Sequence, residues 1–165
     1  EYKILIISGG VSKGKFDFVH SIMNDIKVKT IFHKIKQKPG KPMLFGTGES
    51  GQCIFGLPGN PVSSLICLRR YIVEAFKAKL NLNQSGQQHA ILTQKIEFKK
   101  KLTMFIPVTI EYNSQGQTLA TPVEGNGSGD FYSLAKTDGF LELSEEKEVF
   151  LSGDAYPIYL WSGMN

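Results

Sequence analysis

The sequence holds only two cysteines, Cys53 and Cys67, and three histidines, His20, His33 and His89, among 165 residues. The cysteines stand far apart, match no zinc-ligand spacing and have no histidine clustered near them. Both lie in apolar company, Gln-Cys-Ile-Phe and Leu-Ile-Cys-Leu, where a thiol behaves as a small hydrophobe, so neither a disulfide nor a thiolate metal centre is expected. Long apolar runs are also lacking: none approaches the roughly 20 residues of a membrane span, and Glu1-Tyr2-Lys3 lacks the layout of a secretory signal. No membrane partner is expected, and the cytoplasm is the default compartment. There is no internal repeat, no Walker lysine spacing and no GxGxxG pattern. No aromatic stacking platform or recognised motif accompanies the basic residues, which argues against a nucleic-acid partner.

A hydrophobic content of 41% is ample for a core in a chain of this length, as one domain or two small ones. The net charge of +4 hides an asymmetry: residues 1–83 carry 13 Lys and Arg against 5 Asp and Glu, and residues 84–165 carry 6 against 10. Such a split points to an anionic partner for the first half. The polar stretch Asn81-Leu-Asn-Gln-Ser-Gly-Gln-Gln88 reads as a linker, which places the boundary between domains 1–82 and 83–165.

The first half reads as α/β. Lys3-Ile-Leu-Ile-Ile7 is a short β-branched run of the kind buried in a parallel sheet, ending at Ser8-Gly9-Gly10. Phe16, Val19, Ile22, Met23 and Ile26 predict the apolar face of a helix, with Asp17 in its first turn. Strands are predicted over 30–36, 43–45 and 53–55. A second helix starts at Asn60-Pro61, an N-cap followed by proline at the first helical position, with Val62, Leu65, Ile66, Ile72, Val73, Phe76 and Leu80 on its apolar face. The second half predicts short strands over 89–93, 106–110, 118–121, 139–143 and 156–161, as in a small barrel or sandwich, and a helical turn over 131–136.

Three segments carry the chemistry. In Lys34-Ile-Lys-Gln-Lys38-Pro-Gly-Lys41-Pro, side chains two apart put Lys34, Lys36 and Lys38 on one face of the predicted strand, and the Pro39-Gly40 turn brings round Lys41. Ammonium groups so placed fit a polyanion site or a solvated, lysine-guarded sheet edge, and the residues alone leave both readings open. Ser8-Gly-Gly-Val-Ser-Lys-Gly14 joins a strand to a helix; its glycines permit positive φ and close backbone approach, as in an anion-binding turn or an ordinary βα connection. Gly56-Leu-Pro-Gly-Asn-Pro61 is a loop stiffened by two prolines, either a fixed binding surface or simply a helix cap. In an open α/β sheet, ligands lie outside the carboxyl ends of the strands, where these segments fall.

In order and spacing, Ser8-Gly-Gly-Val-Ser-x-Gly14 with Asp17, then Lys38-Pro-Gly-Lys-Pro42, then Gly56-Leu-Pro-Gly-Asn-Pro-Val-Ser63, resemble the molybdopterin molybdenumtransferase family, the MoeA and gephyrin E-domain proteins. Gly127-Ser-Gly-Asp, Ser133-Leu-Ala-Lys-Thr-Asp-Gly139 and Leu151-Ser-Gly-Asp-Ala-Tyr-Pro-Ile are similar to that family's C-terminal β domain. The resemblance implies the C-terminal part of a doubly wound, three-layer molybdopterin-binding domain of the MogA type, followed by a small β-barrel. It implies a transferase of molybdenum cofactor biosynthesis: molybdate enters adenylylated molybdopterin and AMP leaves, with Mg2+ as cofactor. The expected partners are the anionic pterin-nucleotide substrate and, as in relatives, a second copy in a homodimer.

Carried over by position, Lys34 and Lys38 are the catalytic lysines near molybdate and phosphate, and Asp17 is an active-site aspartate that helps hold magnesium. Ser8, Gly9, Gly10, Ser12 and Gly14 lie along the substrate crevice with Lys41. Pro58, Gly59, Asn60 and Pro61 shape its wall, and Ser128 reaches in from the β domain. Lys36 receives no role. Two departures stand out: Lys13 where relatives often have a small apolar residue, and Ile106-Pro107 where many carry arginine. The family's N-terminal portion has no counterpart in this sequence, so the expectation is a fragment that begins inside a domain, with part of the pocket and little activity alone. A scaffold module of the gephyrin E-domain type is the alternative, although a scaffold needs no such spacing of Asp17, Lys34 and Lys38.

Overall fold

Four short strands form the first sheet because their side chains can be buried on alternate faces. In the computed structural model, which describes residues 2–11, 19–82, 86–123 and 134–162, these are β1 (Ile4–Ser8), β2 (Lys29–His33), β4 (Leu44–Thr47) and β5 (Cys53–Leu57). Their order is β1-β5-β4-β2; β1 runs parallel to β5, with Ile4 opposite Cys53 and Ser8 opposite Leu57, and the other pairings are antiparallel. Alternation sends Leu44, Ile54 and Ile7 to one face, where they pack with Met23 and Val19 of helix α1 (Val19–Asp25). Phe45, Phe55 and Leu57 face the other way and pack with Cys67 and Ile72 of the second helix. The result is the expected three-layer α/β/α arrangement.

The second helix starts where Asn60-Pro61 predicts. Asn60 Oδ1 accepts from the Ser63 backbone N–H at 2.9 Å and from Ser63 Oγ at 2.9 Å, and Pro61 opens α2 (Pro61–Cys67). A π-helical turn, Leu68–Ile72, joins it to α3 (Val73–Lys79). This helix is about 28 Å long, against strands of about 17 Å. It therefore overruns the sheet, and the predicted apolar face ends in solvent, with Phe76 38% and Leu80 63% exposed.

Other expectations need correction. The apolar run of β1 is not buried: among the described residues β1 stands at one edge of the sheet and leaves Leu5 and Ile6 exposed. Of the α1 face, Met23 is buried whereas Ile22 and Ile26 are exposed; Ile26 lines an apolar groove of ≈ 540 Å³ beside β1 with Tyr2, Leu5 and Ile54. Phe16 lies outside the described residues.

The second half is a closed barrel. Strands β8 (Thr103–Tyr112), β9 (Thr118–Pro122), β6 (His89–Leu92), β12 (Ala155–Leu160) and β10 (Gly139–Leu143) pair in that order, and β10 pairs back onto β8. A small ribbon of β7 (Ile96–Glu97) and β11 (Val149–Phe150) escaped the sequence reading, being only two residues per strand. Val108, Ala120, Leu141 and Ile158 fill the barrel, with Ile106 and Ile110 packed against them. Phe105 points to the opposite side of β8 and meets Ile66 of α2 and Phe140, so the barrel seats on α2 through a small apolar cluster.

One strand ties the halves together. The two-residue β3 (Gln37–Lys38) leaves the first sheet and runs parallel to the start of β8, Gln37 opposite Thr103 and Lys38 opposite Met104. The expected continuous strand over 30–36 therefore stops at His33. Its ladder is broken because Ile35 N–H donates to the Lys41 carbonyl at 2.9 Å and Gln37 N–H to the Ile35 carbonyl at 2.8 Å. Lys34, Lys36 and Lys38 do not share one strand face.

Candidate functional site

The three sequence segments meet at the carboxyl ends of β1 and β5. Ser8 closes β1 opposite Leu57, and Gly9 N–H donates to the Leu57 carbonyl at 3.0 Å. Gly9 and Gly10 then turn with φ +88° and +68°, a region open to glycine at little steric penalty. Gly59 stands over this turn: a β-carbon on it would lie 3.7 Å from Gly9 Cα. The proline-flanked loop is held from below, since Ser64 Oγ donates to the Pro58 carbonyl while Asn60 caps the helix. The third segment joins through the end of β2, where His33 Nε2 lies 2.9 Å from the Val11 carbonyl.

Lys34 follows directly, and the 34–41 loop folds back so that Lys41 sits beside Ile35. Its turn contains a cis Lys38–Pro39 bond and Gly40 at φ +90°. Gly40 packs against α2: a β-carbon there would come within 2.6 Å of Gln37 Nε2 and 2.8 Å of Cys67 Sγ. Ser8, Gly9, Gly10, Lys34, Lys41, Pro58, Gly59, Asn60 and Pro61 are thus gathered by one set of connected loops, with Lys38 on the adjoining edge strand. Ser12, Gly14, Asp17 and Ser128 lie outside the described residues.

Lys34, Lys36, Lys38 and Lys41 are all exposed, and none takes part in an ion pair among the described residues. Chemically this is a rim of exposed ammonium groups beside a glycine turn, suited to hold an anion, and among the described residues no carboxylate pairs with them. Among the described residues no three metal-ligating side chains come together. The described residues by themselves offer no magnesium site; Asp17 lies outside them.

Sequence reasoning missed the supports of the lysine loop. Gln37 is 1% exposed. Its Nε2 donates to the Pro39 carbonyl at 3.0 Å and to Cys67 Sγ at 3.5 Å, and its Oε1 accepts from Tyr71 Oη. Cys67 Sγ in turn faces the Gly40 carbonyl at 3.8 Å. Burial pushes the Cys67 thiol up to about 12, opposed by the Gln37 amide, and pushes the Tyr71 hydroxyl up to about 12, opposed by the Arg70 charge. Arg70 lies 5.3 Å from the ring centroids of both Tyr71 and Tyr159. Burial lowers its pKa, but the hydrogen bond and charge of Glu142 raise it further, so the guanidinium stays charged. Tyr159 Oη donates to Glu142 at 3.0 Å, and burial followed by that carboxylate holds its pKa well above the usual tyrosine range. The network runs from the lysine loop to the barrel.

Two family descriptions match the chain: a probable molybdopterin binding domain over residues 1–78, and the MoeA C-terminal region, domain IV, over residues 89–161. The chain belongs to the MoeA family. It is 43% identical over 162 residues to a molybdopterin molybdenumtransferase of Synechocystis, covering 98% of this chain and 39% of that protein. A Haemophilus influenzae molybdopterin molybdenumtransferase is 32% identical over 94% of this chain and 39% of its own length. A molybdopterin biosynthesis MoeA protein from Pyrococcus horikosii superposes with a TM-score of 0.76 at 29% identity, over 98% of this chain and 38% of that one. The chain thus spans about 39% of the length of the curated relatives it matches.

Proposed function

We propose that this chain supplies the C-terminal part of a molybdenum-inserting site, in which molybdate enters adenylylated molybdopterin and AMP is released. The observation that carries this reading is the meeting of Gly9 with Gly59 and of the exposed lysine loop with α2, at the carboxyl ends of β1 and β5. Lys34 and Lys38 are assigned to the anionic molybdate and phosphate groups, and Lys41 to the flanking turn. Ser8, Gly9, Gly10, Ser12 and Gly14 follow the pterin nucleotide, with Gly9 N–H spent on the Leu57 carbonyl and so fixing the turn, against the wall of Pro58, Gly59, Asn60 and Pro61. Asp17 is assigned to magnesium, and Ser128 to the barrel's side of the crevice.

In this mechanism the chain's own groups bind and orient. Fixed ammonium groups stabilise the charge that gathers on oxygen as AMP departs, and a stiff loop requires no reorganisation at that moment. The free edge of β1, with Leu5 and Ile6 exposed, supports self-association as a homodimer; sedimentation as a clean monomer at high concentration would count against it.

The deciding experiment measures binding of adenylylated molybdopterin and molybdate to residues 1–165, together with molybdate- and magnesium-dependent AMP release. Binding with little turnover is expected, and Lys34→Ala or Lys38→Ala should weaken binding about tenfold, or ~1.4 kcal/mol. Undiminished binding in both variants would overturn the assignment, and robust turnover by residues 1–165 alone would overturn the division of the site.

A further inference from the structure

Two lysine-rich segments distant in sequence meet at the seam between the halves. Thr103 N–H donates to the Lys36 carbonyl at 2.9 Å, just before Gln37 and Lys38 pair with Thr103 and Met104. On the barrel side, separated from Thr103 by Leu102 alone, is Lys99-Lys100-Lys101, three consecutive exposed lysines in a loop closed by Leu102 N–H to the Lys100 carbonyl at 2.7 Å. Paired strands lie about 4.8 Å apart, so the backbone carrying Lys36 and Lys38 is one strand spacing from the end of this loop.

Among the described residues the ion pairs are Lys27–Glu49, Arg70–Glu142, Lys77–Glu74 and Lys95–Glu97, and none uses Lys34, Lys36, Lys38, Lys41, Lys99, Lys100 or Lys101. Glu97 pairs with Lys95 at 2.6 Å and also attracts Lys99, and Phe98 N–H donates to the Glu148 carbonyl at 2.9 Å, so exposed acids flank the Lys99 end of the loop without forming an ion pair with it. Three of only six basic residues in the acidic second half therefore stand against the basic first half. Like charges so placed repel, and a polyanion relieves that repulsion.

We propose that this seam is a second anion-binding surface, continuing from Lys38 through Lys36 onto Lys99, Lys100 and Lys101, and that it takes a ligand with two or more linked phosphates. It rests on the anion-facing reading of Lys34 and Lys38 given above. Five lysines on two adjoining segments outmatch the charge of about −2 that a single phosphate group carries, which points to linked phosphates. Nucleic acid fits less well, because single-strand binding wants exposed rings for stacking; Phe98 is folded against the barrel core, and the most exposed described aromatics, Tyr2 and Tyr112, belong to other segments.

Inorganic tripolyphosphate is the probe, titrated calorimetrically into the whole chain. Lys99→Gln/Lys100→Gln/Lys101→Gln should weaken it about tenfold, or ~1.4 kcal/mol, while orthophosphate affinity changes less than about twofold and the melting temperature holds, since exposed charges add little to stability. Lys36→Gln alone should weaken tripolyphosphate about two- to threefold, as one of several exposed contacts. Unchanged tripolyphosphate affinity in the triple variant would overturn the proposal. So would a 20-base-pair duplex that displaces tripolyphosphate with a steep salt dependence, which would mark a nucleic-acid surface instead. Failure of the earlier reading shows separately, as molybdate binding that survives Lys34→Ala and Lys38→Ala.

Discussion

Arg70 donates to both carboxylate oxygens of Glu142, through Nε at 2.7 Å and a terminal nitrogen at 3.3 Å, across 72 residues of sequence. The pair links the π-helical turn to β10 of the barrel, and Tyr159 Oη binds the same carboxylate. Both side chains are about a quarter exposed, 31% and 21%, so their attraction is partly screened.

From that geometry, Arg70→Met and Glu142→Gln should each destabilise the chain by about 1–2 kcal/mol, and the double variant by less than the sum. Urea unfolding of the four proteins gives the coupling directly. Additive losses would mean the pair does not act as a unit.

Gln37 should be as important to the loop as any lysine. Gln37→Leu strands the Pro39 carbonyl and Tyr71 Oη, which should cost about 2 kcal/mol. Adding Tyr71→Phe removes one stranded group and should recover part of that loss. Because the same amide fixes the Lys38–Lys41 turn, molybdate affinity should fall in Gln37→Leu even at temperatures where circular dichroism shows it fully folded; unchanged affinity would reduce Gln37 to a core residue.

Gly40→Ala tests the turn from the other side. An alanine at φ +90° is strained, and its β-carbon would press on Gln37 Nε2 and Cys67 Sγ. A loss of about 2–3 kcal/mol is expected from thermal unfolding. Gly9→Ala meets nothing within 4 Å and should lose only the smaller conformational part, about 1 kcal/mol.

The sequence made the helix start at Asn60-Pro61 legible because a cap is a local event, decided by the residues that form it. The barrel strands were legible because alternation is local as well. The break after His33 was not: whether 34–38 continues a ladder depends on Lys41 and on Thr103, which supply competing partners. Nor could an apolar run reveal that β1 is an edge strand, since edge and central strands can share a composition. The glycine and proline motifs do fall at the carboxyl ends of β1 and β5, because each is a local turn that closes its strand. Its supports stayed hidden, because Gln37 and Tyr71 are 34 residues apart and neither carries a charge that draws notice.

Cys67 gives the last prediction, and its sign follows from burial. Its thiol is pushed up to about 12 in the folded chain, against about 8.5 for a free cysteine. Between those values the unfolded chain loses a proton that the folded chain keeps, so folding binds protons there and stability falls as pH rises. The contribution is whole below about pH 8.5 and declines through the alkaline range. Tyr71, also pushed up to about 12, acts in the same direction from about pH 10. Cys67→Ala should therefore flatten the decline in urea stability between about pH 8.5 and 10, where tyrosine is still largely protonated. In the native chain at pH 8, Cys67 should resist alkylation and become reactive only in denaturant, whereas half-buried Cys53 should label first. An unaltered pH slope in Cys67→Ala, or rapid native labelling of Cys67, would show that the thiol does not stay protonated beneath the Gly40 turn.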